Sequence, residues 1–423
     1  MLKKVLSTVL AVAMLAAVCV IFASCGNSAK DFKIGVICLH DETSTYDLNF
    51  INAIEGAQKA LGLSDDQVVI IKNVPENSAC LDAAKDLVDQ GCKVIFADSF
   101  GHESFMIQAA KDYPDVMFCH ATGTKAHTEK LPNYFNAFAS IYEGRYLAGV
   151  AAGLKLNELK EAGKLKGAVP KMGYVGAFPY AEVISGYTAF YLGAKSVCSD
   201  VVMDVTFTGQ WYDVTAEQQA AEKLINVQKC DLISQHADSM GAPGACESAG
   251  VPNVSYNGST ESKCPETYIV SSRINWQPYF EYIIECVKTG KTIDKDWVAG
   301  LGDTLYNGSV CLAELGKKAP VAGTEAKLNE VAAKLRNGTI KVFDTSKFTI
   351  KNSTYNDVTT DTYFPALKSV VKDENGKLTS AKQNGVEVVK TANGITYFDE
   401  SNTSTNRSAP YFDIDIDGIE IVA

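Results

Sequence analysis

The chain has 423 residues and a formal net charge of −11 at pH 7, a length sufficient for two domains with a large core. Its basic residues form no run or stripe, so we expect no nucleic-acid partner. The 12 cysteines are dispersed and include no CxxC pair, which argues against a zinc knuckle or a redox dithiol.

Residues 1–24 have the layout of a signal peptide. Lys3 and Lys4 precede the apolar stretch Val5–Phe22, and two small residues then lead to Cys25. The cysteine at this position resembles the bacterial lipobox, which implies that Cys25 is lipidated and that residues 25–31 form a flexible tether. We expect an exported protein, lipid-anchored to the outer face of the bacterial cytoplasmic membrane or to the periplasmic side of a cell envelope. A plain signal peptide or an uncleaved anchor is the alternative.

The pattern after residue 31 alternates short apolar strands with amphipathic helices. Such alternation predicts an α/β fold with right-handed βαβ units and a parallel sheet. The strands are continuously apolar, which indicates that helices cover both faces of the sheet. The predicted strands are Phe32–His40, Val68–Ile71, Lys93–Ala97 and Val116–Cys119, and the predicted helices are Asp47–Leu61, Ala79–Leu87 and Glu103–Lys111.

The same pattern restarts after a predicted helix at Tyr142–Leu156, and this restart predicts two equivalent lobes. Each half has a third strand that ends in Ala-Asp-Ser, which supports a weak internal repeat. The second set of strands is Lys171–Phe178, Val202–Thr208, Asp231–Gln235 and Asn253–Tyr256, with helices at Glu182–Ser196, Thr215–Asn226 and around Cys246.

Later elements are expected to return to each lobe in turn, so that the chain crosses between the lobes three times. We assign residues 32–138 and 262–300, including a helix at Trp276–Thr289, to lobe 1. Lobe 2 takes residues 139–261 and 301–343, including a strand near Leu305–Leu312 and a helix at Lys327–Leu335. Residues 344–423 are rich in Thr, Asn, Asp and Lys, with three Asn-Gly turn signals, and predict a β-rich C-terminal extension.

Ligands of open α/β sheets bind outside the carboxyl ends of the strands. The residues that follow the predicted strands are aromatic and polar together, which suits a flat heteroaromatic ligand. Aromatic rings would stack on its faces, and carboxylates or amides would bind its edge. The candidate ligand-binding residues are Tyr46, Asp47, Ser99, Phe100, His120, Glu143, Phe178, Trp211, His236, Asp238 and Asn257.

Several of these residues also have a purely structural interpretation. Tyr46 and Trp211 could instead pack between the lobes. Asp98 and Asp238 could simply cap the helices that follow them, and Glu143 could favour the dipole at the start of its helix.

Four histidines at predicted strand ends raise the alternative of a metal site. They come from different strands in both lobes, however, and no HxxxH spacing places two of them on one helix. The sequence has no GxSxG elbow, no phosphate-binding loop and no GxGxxG after the first strand. We therefore expect neither an enzyme nor a cofactor. The four residues are His40, His102, His120 and His236.

Five segments, in order along residues 32–343, resemble the basic membrane protein family of substrate-binding lipoproteins of ABC importers. The resemblance implies a type I periplasmic-binding-protein fold, with two Rossmann-like lobes joined by a three-strand hinge. It also implies a purine nucleoside or nucleobase as ligand, with an ABC permease and an ATPase as partners. The segments are Ala97–Gly101, Tyr113–Val116, Tyr142–Val150, Val175–Phe178 and Thr208–Asp213.

The family motifs transfer to this chain with substitutions that favour a base over a nucleoside. By resemblance, Tyr46 takes the place of a stacking phenylalanine, Asp47 makes the adjacent polar contact, and Trp211 supplies the second ring. Asn257 replaces an aspartate that would hold a nucleoside, and Ile274 replaces a lysine that would contact ribose. We expect a monomer that closes on a purine base. The alternatives are a receptor for a sensor kinase, a metal-binding receptor and a nucleoside hydrolase.

Overall fold

The computed structural model describes residues 32–351, 367, 369–401 and 408–423. The predicted signal peptide at 1–24, the lipidation site Cys25 and the tether at 25–31 lie outside the described residues. Within the described ranges, no helix combines the length and the apolar character needed to cross a membrane.

The first lobe is built on a six-stranded sheet in which every pair of neighbouring strands is parallel. The spatial order is β2-β1-β3-β4-β5-β11. The strands are β1 Ile34–Ile37, β2 Val68–Ile71, β3 Val94–Ala97, β4 Met117–Ala121, β5 Tyr134–Ala139 and β11 Asp296–Ala299; the helices are α1 Thr45–Leu61, α2 Ser78–Asp89, α3 Glu103–Asp112, α4 Ala126–Glu129 and α9 Gln277–Thr289.

The second lobe contains a seven-stranded sheet in the order β12-β10-β9-β8-β6-β7-β18. Its strands are parallel except β12, which runs antiparallel to β10. The strands are β6 Lys171–Gly176, β7 Val202–Phe207, β8 Leu232–His236, β9 Asn253–Tyr256, β10 Tyr268–Ile274, β12 Val310–Leu312 and β18 Ile419–Ile421; the helices are α5 Ile141–Glu161, α6 Ala181–Lys195, α7 Val214–Asn226, α8 Gly241–Ala249 and α10 Thr324–Arg336.

Local sequence explains where the helices near the cleft begin. The Ser44 side chain caps α1 by accepting a hydrogen bond from the Asp47 amide. The Asp213 side chain caps α7 in the same way, accepting from the amides of Thr215 and Ala216. A side-chain cap satisfies amides that have no partner within the helix, so the loops that precede α1 and α7 enter these helices in a fixed position.

The described chain passes between the two sheets three times, at residues 139–141, 274–277 and 299–310. This is the connectivity predicted for the type I fold. One predicted boundary needs correction, because β10 pairs with β9 in the second sheet. The part of the chain that returns to lobe 1 therefore begins after residue 274 and not at 262. The apolar pattern predicts no strand at residues 268–274, because Ser271, Ser272 and Arg273 interrupt it there.

The C-terminal extension is β-rich, as predicted, but its last strand belongs to the second lobe. Two small antiparallel sheets come first, and β18 then pairs in parallel with β7 at the edge of the second sheet. Phe398, Tyr411 and Phe412 of the extension lie in the same apolar core as α5 and α6. The small sheets contain β13 Ser369–Lys372, β14 Leu378–Gln383 and β15 Val386–Glu387, and β16 Val389–Ala392 and β17 Ile395–Phe398.

Candidate ligand-binding site

A pocket lies between the lobes, where the carboxyl ends of both sheets face each other. About 340 Å³ of it is free of protein atoms, a figure that includes space open to the solvent. Its walls combine aromatic rings with carboxylates and hydroxyls. The lining residues are Leu39, Tyr46, Ser99, Phe100 and Thr122 from the first lobe, and Glu182, Trp211, His236, Asp238 and Tyr256 from the second.

The two lobes are in contact around this pocket. The backbone N–H and the hydroxyl of Thr45, at the start of α1, both donate to the carbonyl of Asp238, at 3.0 and 3.2 Å. The rings of Phe100 and Tyr180 also meet across the cleft, with centroids 5.2 Å apart. The structure therefore shows the lobes closed around the pocket.

Tyr46 lines the pocket from the first lobe, as predicted, and its ring is held at both ends. Its hydroxyl donates to the Asp98 carbonyl at 2.7 Å, and its ring packs edge-on against Phe50, with centroids 4.9 Å apart. Burial raises the pKa of Tyr46, so the phenol is neutral. The ring is consequently fixed in a position where one face can meet a ligand.

Trp211 lines the pocket from the second lobe, also as predicted. Phe178 packs against it at 67°, with centroids 5.1 Å apart. Phe178 in turn stacks on Tyr180. Phe178 does not line the pocket. The ligand contact predicted for it is therefore corrected: Phe178 supports the Trp211 indole from behind.

Asp47 also lies behind the pocket and does not line it. Its fully buried carboxylate accepts from the Ser44 hydroxyl at 2.7 Å and from the His40 amide at 2.8 Å. These bonds hold the loop between β1 and α1, including the start of the helix that carries Tyr46. The direct polar contact with ligand predicted for Asp47 is thus replaced by a positioning role.

Asp98 is fully buried beside Asp47. One of its carboxyl oxygens accepts from the Leu39 amide at 3.1 Å, and the Asp47 carboxylate and the Cys38 thiol lie close to the same carboxyl group. Burial and then the negative charge of Asp47 raise the pKa of Asp98 well above its ordinary value. The ionised carboxylates of Asp98 and Asp47 would both be acceptors and would repel each other. A proton on Asp98 removes this repulsion, because the protonated acid donates a hydrogen bond to Asp47.

We expect Asp98→Asn to become more stable than the wild type as pH rises. The raised pKa of Asp98 means that its stabilising proton is fully bound below the ordinary value of 3.8 and is lost as pH rises through the folded-state pKa. Asparagine keeps an acceptor for Leu39 and a permanent donor for Asp47. The advantage in free energy of unfolding should grow by up to about 1.4 kcal/mol per pH unit.

Urea unfolding across a pH series measures this difference directly. Asp82→Asn is the matched control, because this aspartate is exposed, and its stability relative to the wild type should stay constant with pH. An Asp98→Asn advantage that stays constant with pH would contradict the shared proton.

His120 supports the first-lobe wall from behind and is absent from the pocket lining. Its Nε2 lies 2.7 Å from the Ser99 carbonyl, and burial lowers its pKa to about 3, so a neutral ring donates this bond. Ser99 and Phe100 do line the pocket, as predicted, and the Ser99 hydroxyl donates to Glu76 at 2.6 Å. The ligand contact predicted for His120 is therefore corrected: this histidine holds the Ser99 backbone in place.

Asp238 lines the second-lobe wall, and Asn257 lies next to it outside the lining. The Asn257 amide nitrogen is 3.4 Å from an Asp238 carboxyl oxygen. Burial raises the pKa of Asp238 well above its ordinary value. Asn257 adopts a left-handed backbone with φ of 66°, which asparagine tolerates better than most residues. The direct ligand contact predicted for Asn257 is therefore corrected: its side chain holds the Asp238 carboxyl group, which lines the pocket.

Glu143 faces a different cavity. This space of about 750 Å³ lies between the start of α5 and the extension, and Lys341 and Tyr397 also line it. Burial raises the pKa of Glu143 to about 7. The predicted contact of Glu143 with a ligand in the cleft is corrected, because the first turn of α5 is directed toward the extension.

The strand-end histidines do not come together in the structure. Within the described ranges, the potential metal ligands that cluster in threes are Cys38, Asp47 and Asp98, with atoms within 4.8 Å of one another. One ring nitrogen of each histidine instead faces its own partner: that of His40 faces Asp47, that of His102 the Val74 carbonyl, that of His120 the Ser99 carbonyl and that of His236 Glu182.

Three polar residues of the second-lobe wall were not among the predicted ligand-binding residues. Glu182 and Tyr256 line the pocket, and Arg145 lies directly behind Tyr256, with its guanidinium carbon 3.3 Å from the ring centroid. Glu182 is in the first turn of α6, only a few residues after β6. A search for binding residues that included the first turn of the helix after each strand would have found it.

These features define a class of protein before any comparison. Two α/β lobes, joined by three crossings and closed on a small pocket, are the architecture of hinge-closing solute-binding proteins. A solute-binding protein from Aeropyrum pernix K1 shares this fold, with a TM-score of 0.61 at 15% identity over 78% of this chain and 96% of its own.

Residues 37–332 match the family model described as ABC transporter substrate-binding protein PnrA-like. The chain belongs to this family, known as Bmp, which confirms the resemblance inferred from the sequence. Its members are substrate-binding components of ABC transporters and not enzymes, and they act outside the cytoplasm.

Two curated relatives are similar over part of their length. A purine-binding protein of Brucella abortus (strain 2308) is 34% identical over 51% of this chain and 57% of its own length. A putative ABC transporter glucose-binding protein of Haloferax volcanii (strain DS2) is 34% identical over 47% of this chain and 46% of its own. The chain thus spans about half the length of the curated relatives it matches.

Proposed function

We propose that this protein captures a free purine base between its lobes and delivers it to an ABC permease. The observation that carries the proposal is the pair of aromatic side chains, Tyr46 and Trp211, that line one small pocket from opposite lobes. Rings on both walls suit a flat heteroaromatic molecule, because each base face gains about 1–3 kcal/mol from stacking. The Brucella relative, which is named for purine binding, supports the same ligand class.

The closed cleft favours a base over a nucleoside. The bonds from Thr45 to Asp238 close one side of it. Ile274, which stands where the family resemblance implies a ribose-contacting lysine, is buried and offers no hydrogen bond from its side chain. A ribose would therefore lack a polar partner at this position.

The transport role includes a lipid anchor and membrane partners. Lipid on Cys25 would keep a diffusible binding protein close to the importer on the outer face of the cytoplasmic membrane. The closed monomer would dock on the permease, and a separate ATPase would drive transport. A receptor that signals to a sensor kinase would use the same closed form, and the identity of the neighbouring genes distinguishes these two roles.

Calorimetric titration tests the ligand class. The mature protein is titrated with adenine, guanine, hypoxanthine and their nucleosides, and with glucose because of the Haloferax relative. We expect a free base to bind most tightly. Trp211→Ala should weaken that binding by about 1–3 kcal/mol, the value of one stacking contact.

Trp297→Ala is the control, because this tryptophan packs on Tyr279 in the first lobe and lies outside the pocket. It should leave the affinity unchanged. A folded protein that binds glucose and no purine would refute the proposal.

A further inference from the structure

The second-lobe wall of the pocket contains a connected set of polar side chains: Arg145, His236 and Glu182, with Tyr256 beside them. All four are buried. Glu182, His236 and Tyr256 line the pocket, and Arg145 lies one layer behind. Their hydrogen-bonding pattern determines which groups face a ligand.

Arg145 supplies a positive charge deep in this wall. Its side chain is 1% exposed, it donates to the Gln235 carbonyl at 3.2 Å, and it lies over the Tyr256 ring. Its Nε and one terminal nitrogen have no acceptor within the described chain. A buried guanidinium with unused donors attracts any acceptor nearby.

Nδ1 of His236 has no hydrogen-bond partner within the described chain and lies near the Arg145 guanidinium. A Cβ added to Gly186 would lie 3.1 Å from His236 Nδ1 and 3.4 Å from Arg145 Nε, so the two nitrogens face the same glycine. Because a guanidinium group only donates hydrogen bonds, it favours the His236 tautomer in which Nδ1 carries no proton and can accept. Burial and then the charge of Arg145 lower the pKa of His236 to about 4, so the ring is neutral and its single proton lies on Nε2.

The protonated Nε2 faces Glu182, with 3.4 Å between it and the nearer carboxylate oxygen. Because Nε2 is the donor in this contact, Glu182 must be the acceptor. The carboxylate also lines the pocket, where its remaining lone pairs can accept from a ligand. An ionised carboxylate binds two adjacent N–H groups best, through parallel hydrogen bonds.

We propose that Glu182 is the residue that determines specificity, and that it selects a purine with a ring N–H next to an exocyclic amino group, as in guanine. This inference rests on the proposed purine function. Adenine has an amino group flanked by bare ring nitrogens, so one carboxylate oxygen would face a lone pair. Hypoxanthine and xanthine lack the amino group and offer Glu182 only a single N–H from the same edge.

Asp238 complements this pattern on the same wall. Burial raises its pKa, so it carries a proton and can donate a hydrogen bond. The oxygen and imidazole nitrogen on the other edge of guanine are acceptors. One accepting carboxylate and one donating carboxyl group therefore match the two edges of the same base.

The test is a competition among free bases on the wild type and on Glu182→Gln, followed by calorimetry. The wild type should bind guanine more tightly than hypoxanthine, xanthine or adenine. Glutamine retains one acceptor but places a donor toward the second N–H group. Glu182→Gln should therefore weaken guanine binding by roughly 10- to 100-fold and leave adenine binding little changed.

Glu247→Gln is the matched control, because it removes a carboxylate of the second lobe that lies outside the pocket lining and accepts from Glu266 and Thr267. Its base preference should equal that of the wild type. Equal wild-type affinities for guanine and adenine, or a Glu182→Gln variant that keeps the guanine preference, would overturn this assignment while the purine function stands. Binding of no purine overturns both. Should Glu182→Gln fail to fold, the wild-type ranking alone decides.

Discussion

Gly149→Ala is expected to lower the free energy of unfolding by about 3 kcal/mol or more, at the upper end of the range for overpacking a core. A Cβ at this position would lie 2.0 Å from the Phe190 carbonyl oxygen and 3.0 Å from the Ala194 amide nitrogen. Both are backbone atoms of α6, so no side chain can rotate away. The two helices would have to separate, and the apolar core that they share would lose its packing.

The contact is reciprocal, which makes the prediction specific to this helix pair. A Cβ on Gly193 of α6 would lie 2.0 Å from the Tyr146 carbonyl of α5, and one on Gly153 would lie 2.5 Å from the Ala194 carbonyl. The helix backbones therefore touch over two turns. This close approach explains the small residues of the family segment Tyr142–Val150. It also fixes Arg145, on the same helix, behind the pocket wall.

Urea unfolding of Gly149→Ala against Gly167→Ala measures the effect. The nearest atom to a Cβ on Gly167 is a carbonyl oxygen 3.9 Å away, so the control introduces the same methyl group without a clash. Equal stability of the two variants would show that the helices do not approach as closely as the structure describes.

Sequence reasoning found the lobes because their signals are local. Apolar runs alternate with amphipathic helices, and each βαβ unit can be recognised within a short window of residues. The pairing of β18 with β7 could not be predicted, because it joins residues more than two hundred positions apart and its strand is only three residues long. The misplaced boundary at residue 262 has a different cause, because three polar residues in succession hide β10 from the apolar strand pattern.

The site was predicted in part for a similar reason. The rule that ligands bind beyond the carboxyl ends of strands led to Tyr46, Trp211 and Asp238, which do line the pocket. The rule cannot tell whether a side chain faces the ligand or holds its own loop. Asp47 follows the same strand as Tyr46, yet its carboxylate binds Ser44 and His40. Only the three-dimensional arrangement of donors distinguishes these two roles.

Glu400→Ala should destabilise the protein by about 3 kcal/mol or more. The Glu400 side chain is buried in the extension and accepts from the Tyr411 amide at 2.9 Å, the Phe412 amide at 2.6 Å and the Ser185 hydroxyl of α6. Alanine leaves three buried donors without an acceptor, and each such loss costs about 1–3 kcal/mol. Glu400→Gln keeps one acceptor oxygen and should cost less.

Thermal and urea unfolding with Glu374→Ala as the control measures this loss, because Glu374 is an exposed glutamate of the same extension. Similar stability of Glu400→Ala and Glu374→Ala would mean that the extension is not anchored through this carboxylate. The extension is also bound to the first lobe, because the Ser408 amide donates to Asp296 at 3.0 Å. A segment fixed to α6 through Glu400 and to the first sheet through Asp296 spans both lobes, so releasing it should also change how the lobes close on a ligand.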